Sequence, residues 1–201
     1  MRTFVVTFLM ILCLSVVGCV SKLVKPVDPA MMIAAMSGEE AAVVFLRPTQ
    51  LGSGTQAPVA EAVDGQLRFV GIVSADTKLL YKTTPGRKFF VVGGGSSQLL
   101  EAEFAPGKTY YCAILPQEEG GVKARFAFVP YTNDDLLKDG FIRDWERCAW
   151  YENTPEGHAW FTKSLPSMRK KYAAALRAYQ TTPTREKTTI LPEFGIDDPV
   201  R

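Results

Sequence analysis

The sequence predicts a mainly β protein: a small antiparallel β-sandwich over 41–131, a C-terminal α-helical extension over 132–182 and a polar tail over 183–201. Three observations carry this. Short apolar or alternating segments recur from Ala41 onward, parted by turn signals at Asp64-Gly65, Pro85-Gly86 and Pro106-Gly107. No amphipathic helix lies between these segments, so a βαβ crossover has nothing to build it. After Pro130 the apolar spacing changes to three or four residues, the period of a helix.

The strands follow in order. Ala41 to Leu46 is a continuous apolar run closed by Arg47-Pro48, the pattern of a buried strand. Val59 to Val63 and Leu67 to Val73 flank Asp64-Gly65 and form a hairpin, because Asp-Gly tolerates the positive φ that a two-residue turn needs. Lys78 to Thr83 precedes Pro85-Gly86. Lys88 to Val92 ends at Gly93-Gly94-Gly95. Leu100, Ala102 and Phe104 alternate with Glu101 and Glu103, and Thr109 to Leu115 follows the Pro106-Gly107 turn. In the last strand Val122, Ala124, Phe126 and Phe128 share one face, with Lys123 and Arg125 on the other.

Thr132 or Asn133 can cap the first helix, and Asp134 and Asp135 suit its positive end. Leu137, Phe141, Trp145 and Cys148 make its apolar stripe, which Gly140 weakens. Thr154-Pro155-Glu156 starts a second helix. Pro166 is expected to begin or kink the next one, whose stripe runs Leu165, Met168, Tyr172, Ala175 and Tyr179. The tail holds one apolar cluster, Ile190, Leu191, Phe194 and Ile196.

The N-terminus is an address. Arg2 leads into an apolar run from Phe4 to Val17, then Gly18 and Cys19, the parts of a secretory signal peptide. Val16-Val17-Gly18-Cys19 resembles the bacterial lipobox, which implies cleavage after residue 18, lipidation of Cys19 and, with Val20 rather than Asp next, the outer membrane. Several acyl chains together hold a protein durably where one does not. The alternative is an uncleaved membrane helix, since Thr3 to Val20 sits at the lower length limit for spanning a bilayer. Residues 19–40, with Lys22, Lys25, Pro26, Pro29 and a Met/Ala stretch, read as the lipidated N-terminus and a tether. As flexible chain, about 20 residues reach roughly 25 Å.

Cleavage leaves 183 residues (201 minus 18), and loss of Arg2 leaves 22 basic against 21 acidic residues. No global field recruits nucleic acid, which is excluded as a partner. Cys112 and Cys148 remain in a compartment that permits disulfides. They are a candidate bridge closing a 36-residue separation, or two buried free thiols. There is no Cys-x-x-Cys.

No motif names a reaction. Gly107-Lys108-Thr109 is not a phosphate loop, for no Gly stands five residues earlier and a strand follows. His158 is the sole histidine, and no cluster supplies metal ligands beside it, so no catalytic residue, metal or cofactor is assigned apart from the covalent lipid. The candidate binding surface is the aromatic segment with Trp145, Trp150, Tyr151, Trp160 and Phe161. Such rings can stack on sugars or anchor a protein partner, but the favoured reading is that they glue the helices to the sandwich. Arg169-Lys170-Lys171 with Arg177 reads as a solvated helix face, or as a contact for anionic lipid or glycan.

Ala42-Val43-Val44-Phe45-Leu46-Arg47-Pro48, Val63-Asp64-Gly65, Pro85-Gly86-Arg87 and Ala105-Pro106-Gly107-Lys108-Thr109-Tyr110-Tyr111 occur in this order. Together they resemble a bacterial family of small envelope lipoproteins that carry a domain of unknown function. The resemblance spans residues 41–115. It implies a sandwich of the transthyretin or carboxypeptidase-regulatory type and no known activity, and it is silent on the helical extension. The expectation is a non-enzymatic, outer-membrane-anchored periplasmic lipoprotein that binds another envelope protein, or alternatively peptidoglycan through the aromatic segment. A hydrolase is the third and weakest reading.

Overall fold

The computed structural model describes residues 22–33, 39–117 and 124–197. The expected signal peptide (1–18) and Cys19 lie outside the described residues. In chain order the elements are β1 (Val24–Pro26), α1 (Pro29–Ile33), β2 (Ala41–Arg47), β3 (Pro58–Val63), β4 (Gln66–Ile72), β5 (Thr77–Thr83), β6 (Gly86–Val92), β7 (Gln98–Phe104), β8 (Thr109–Gln117), β9 (Arg125–Pro130), α2 (Asp139–Arg147), β10 (Ala149–Asn153), α3 (Pro155–Thr181) and β11 (Thr189–Ile190). They form two sheets packed face to face, ordered β1-β10-β5-β2-β8-β9 and β11-β7-β6-β3-β4. The fold is mainly β with a C-terminal helix, as the apolar periods predict.

The inter-sheet core follows the alternation. Val43 and Phe45 of β2 meet Val59, Phe90, Leu100 and Phe104 from the opposite sheet, with Tyr110, Cys112, Ile114, Phe126 and Phe128 beside them. The Phe45 ring stands 5.5 Å from Phe90 and 5.9 Å from Phe128. Ala42 and Val44 face the other way and are buried under Phe141 and Trp145 of α2. That second cover explains why the run over 41–46 is apolar without alternation. α3 covers the second sheet in the same manner, laying Phe161, Leu165, Met168, Tyr172, Ala175 and Tyr179 on Ala60, Val91 and Leu99. The molecule is thus four layers deep: helix, sheet, sheet, helix.

Several expectations need correction. The sheets are mixed: among the nine ladders of the described residues, β2·β8, β5·β10 and β7·β11 are parallel. Between β2 and β8 the chain crosses to the second sheet and back twice, so no tight turn fixes the direction in which β8 returns. Asp64 (φ +50°) and Gly65 (φ +75°) do close the β3–β4 hairpin. Pro85-Gly86 and Pro106-Gly107 instead carry the chain from one sheet to the other.

The sandwich also extends beyond 41–131. β1 comes from the expected tether, β10 from the helical extension, and β11 from the tail. In that tail Ile190 enters the inter-sheet core with Phe194 against it, and the main chain of Ile196 exchanges two hydrogen bonds with Thr109. Leu137 is 71% exposed because it falls in a 3₁₀ turn (Asp135–Leu137) ahead of α2. Pro166 does not begin a helix: α3 runs 27 residues through it. The stripe from Phe161 to Tyr179 binds the helix to the sheet on both sides of Pro166, which offsets the hydrogen bond that proline cannot donate. No helix among the described residues is long and apolar enough to cross a membrane.

Candidate functional site

The aromatic segment does not form one surface. Trp145 and Trp150 pack under α2 against the first sheet, whereas Trp160 and Phe161 lie on the second. β10 and the Thr154 cap, whose hydroxyl accepts from the Gly157 N–H at 3.1 Å, carry the chain from one outer face to the other. Tyr151 lies between them, paired with Pro26 of β1.

Trp145 and Trp150 enclose a cation that sequence reasoning missed. Lys78 is 5% exposed; its Nζ donates to the Trp145 carbonyl at 2.8 Å and stands 3.6 Å from the Trp145 ring centre and 5.1 Å from that of Trp150. Burial lowers its pKa to about 8, against an opposing pull from Cys148. The site fastens α2 to the sheet. Cys112 and Cys148 are free and buried. Cys112 points into the inter-sheet core, and burial drives its thiol far above the ordinary range. Burial raises Cys148 to about 12. Neither is a thiolate near neutral pH.

His158 is exposed and sets its ring edge-on to Phe69 at 5.1 Å. Gly107 (φ +69°) confirms the turn reading of Gly107-Lys108-Thr109, with Lys108 Nζ 2.7 Å from Asp197. Glu61, 1% exposed, accepts from the Tyr81 hydroxyl at 2.5 Å and has Arg68 and Lys88 at 3.7 and 3.8 Å. Burial and this carboxylate push the Tyr81 phenol upward. No group of three or more His, Cys, Asp or Glu among the described residues can hold a metal ion.

The arrangement best suited to bind something is a groove of about 450 Å³ between α3 and the loop before β3. Trp160, Ser164, Ser167, Met168 and Lys171 line it from one helix face at helical spacing. Gln56 faces them; its Oε1 is buried with no hydrogen-bond partner among the described residues. Ser164 Oγ donates to the Trp160 carbonyl at 2.9 Å, and Lys171 Nζ donates to the Gly94 carbonyl. Two sequence features build this groove. At Gly93 a Cβ would stand 2.5 Å from Met168 Sδ, and at Gly94 one would stand 2.8 Å from the Ala124 carbonyl, so the glycines let α3 and β9 close in. The loop wall is held by Arg47, wholly buried at the end of β2. Its Nη1 and Nη2 donate to the carbonyls of Thr55 and Leu51 at 3.1 and 3.0 Å, and its guanidinium lies 4.5 Å from the Phe126 ring centre. Burial lowers its pKa to about 10, Asp76 opposing, which leaves it charged at neutral pH. The Arg-Pro strand end was visible in the sequence; that Arg47 turns inward to order a loop was not.

A second cavity, about 210 Å³, lies between the far end of α3 and β7, with Ser97, Gln117, Arg125, Tyr179 and Lys187 among its walls. No protein-family model matches the chain, and no curated protein matches it.

Proposed function

We propose that this chain is a non-enzymatic binding module of the bacterial cell envelope, anchored through a lipid on Cys19 to the outer membrane and facing the periplasm. It engages another envelope component through the groove on α3. That groove is the observation that carries the reading: an aromatic ring, two hydroxyls and a lysine on the α3 wall face an amide oxygen of Gln56 that has no partner among the described residues. The other marked residues support it indirectly, since Lys78, Glu61, Cys112 and Cys148 are taken up by packing and His158 lies against Phe69.

A second reading makes the occupant a glycan strand of peptidoglycan. It is favoured by Trp160, whose ring can cover the apolar face of a sugar while Gln56, Ser164 and Ser167 meet its hydroxyls and amides. Cosedimentation with purified sacculi tests both. Pelleting that is lost in Trp160→Ala and in Ser167→Tyr, which fills the groove from an exposed helix position, supports the glycan. No pelleting, combined with crosslinks from the groove to an envelope protein, supports the protein partner. Pelleting unaffected by either variant moves the site elsewhere and refutes the groove.

A further inference from the structure

Hardly any chain separates the expected anchor from the folded domain. The Lys22 carbonyl accepts from Thr154 Oγ1 at 2.6 Å, the Leu23 carbonyl accepts from the Thr154 N–H at 3.0 Å, and β1 begins at Val24. Leu23 lies so close to the start of α3 that a Cβ on Gly157 would stand 2.3 Å from its oxygen. β1 then pairs with β10 from Val24↔Asn153 to Pro26↔Tyr151, and the Val27 N–H donates to the Trp150 carbonyl at 3.1 Å. Residues Val24–Pro26 of the segment expected to be a free tether are therefore part of the first sheet. Only three peptide steps join Cys19 to Lys22, at most about 10 Å of extended chain. This bound is covalent and requires no particular conformation. It also holds if the apolar run is retained as a membrane helix ending near Val20.

We infer that one corner of the sandwich, made by the start of β1, the end of β10 and the first turn of α3, rests on the lipid surface. The inference depends on the anchoring reading above and adds the orientation of the domain. The occupant of this corner is the headgroup layer, because the chain that leaves the corner toward Cys19 is too short to place anything else between them. A second feature points the same way. α1 starts two residues after the last contact with β10; its first turn is capped by Asp28, whose Oδ1 accepts from the Ala30 N–H at 2.9 Å, and it presents Met31 74% exposed. An exposed unbranched apolar side chain, 12 residues along the chain from Cys19, is suited to the boundary between headgroups and acyl chains. Lys22 precedes this strand and Lys25 lies within it, paired with Glu152 at 3.0 Å. The far end of α3, about 40 Å along the helix axis, carries Arg185 in the turn that follows.

The test uses the full lipidated chain in vesicles of phosphatidylethanolamine and phosphatidylglycerol. A fluorophore is placed in turn at Met31→Cys, Glu156→Cys and Arg185→Cys, all exposed positions, while Cys112 and Cys148 stay buried. Lipids bearing a contact-range quencher in the headgroup should quench the first two severalfold more than the third. Inserting about 20 Gly/Ser residues after Val20, which reach roughly 25 Å, should release positions 31 and 156 to the level of 185. Equal quenching at all three sites in protein that floats with the vesicles overturns the docked corner and leaves the anchor standing. Quenching unchanged by the insertion overturns the tether argument. Protein that does not float at all overturns the anchor and the corner together.

Discussion

Replacing Arg47 with Met removes the side chain that holds the loop wall of the groove. Two hydrogen bonds from a charged guanidinium to main-chain carbonyls contribute about 1.5–3 kcal/mol each, and its place over the Phe126 ring adds about 1 kcal/mol. Methionine offsets several kcal/mol of this by sparing the chain a buried cation. It leaves the carbonyls of Thr55 and Leu51 without donors, so the net expectation is a loss of about 2–4 kcal/mol. Arg47→Lys keeps the charge but cannot fork to two carbonyls, and should lose about 1–2 kcal/mol. Urea unfolding measures the stability. Amide exchange over residues 49–57 should quicken in both variants before the sheets are affected. An Arg47→Met protein within about 0.5 kcal/mol of the wild type, with unchanged exchange in that loop, would refute the role given to Arg47.

Lys78 makes stability depend on pH in a defined direction. Its folded pKa of about 8 lies below the ordinary 10.5, so between these values the unfolded chain binds more protons, and this side chain's contribution rises with pH across that window. The stability of the wild type relative to Lys78→Met should therefore improve by about 1–3 kcal/mol from pH 8 to pH 10.5, at 1.36 kcal/mol per unit; a flat difference contradicts it. Cys112 and Cys148 should resist a thiol reagent in the native protein and react once urea unfolds it, and either thiol reacting natively within minutes counts against their burial. Gly94→Ala should cost about 1–3 kcal/mol, because the new methyl meets the Ala124 carbonyl and the Phe126 ring at 2.8 Å. Gly54→Ala, with nothing within 4 Å, should change stability by less than about 0.5 kcal/mol; equal losses in thermal unfolding would show that close approach is not what fixes Gly94.

Local chemistry was legible in the sequence where it acts locally. Asp64-Gly65 specifies a turn wherever it stands, and the alternation of Leu100, Ala102 and Phe104 declares the face that is buried. The cap at Thr154 and the stripe down α3 were equally plain. What escaped was set by partners distant in sequence. Pairing of β1 with residues 151–153 cannot be read from Val24-Lys25-Pro26, which is short and carries a proline. Nor can the parallel return of β8, because hydrophobic period fixes the face of a strand and not its neighbour. The division of the aromatic segment is hidden for a related reason. Adjacency along the chain suggested one surface, yet five residues of β10 and a helix cap place its two halves on opposite faces. The groove depends on Gln56, Gly94 and α3 meeting in space, and only the Gly triplet marked it in the sequence.

If the α3 groove is where this module meets its partner in the envelope, a residue on the groove wall lies against that partner. A photo-crosslinking amino acid at Ser167, exposed on the groove wall, and another at Leu137, exposed under the opposite sheet, test it in intact cells. Occupancy of the groove should give a discrete adduct from Ser167 that disappears in Trp160→Ala at equal protein level, and none of that size from Leu137. The same adduct from both positions, or from Leu137 alone, would contradict it.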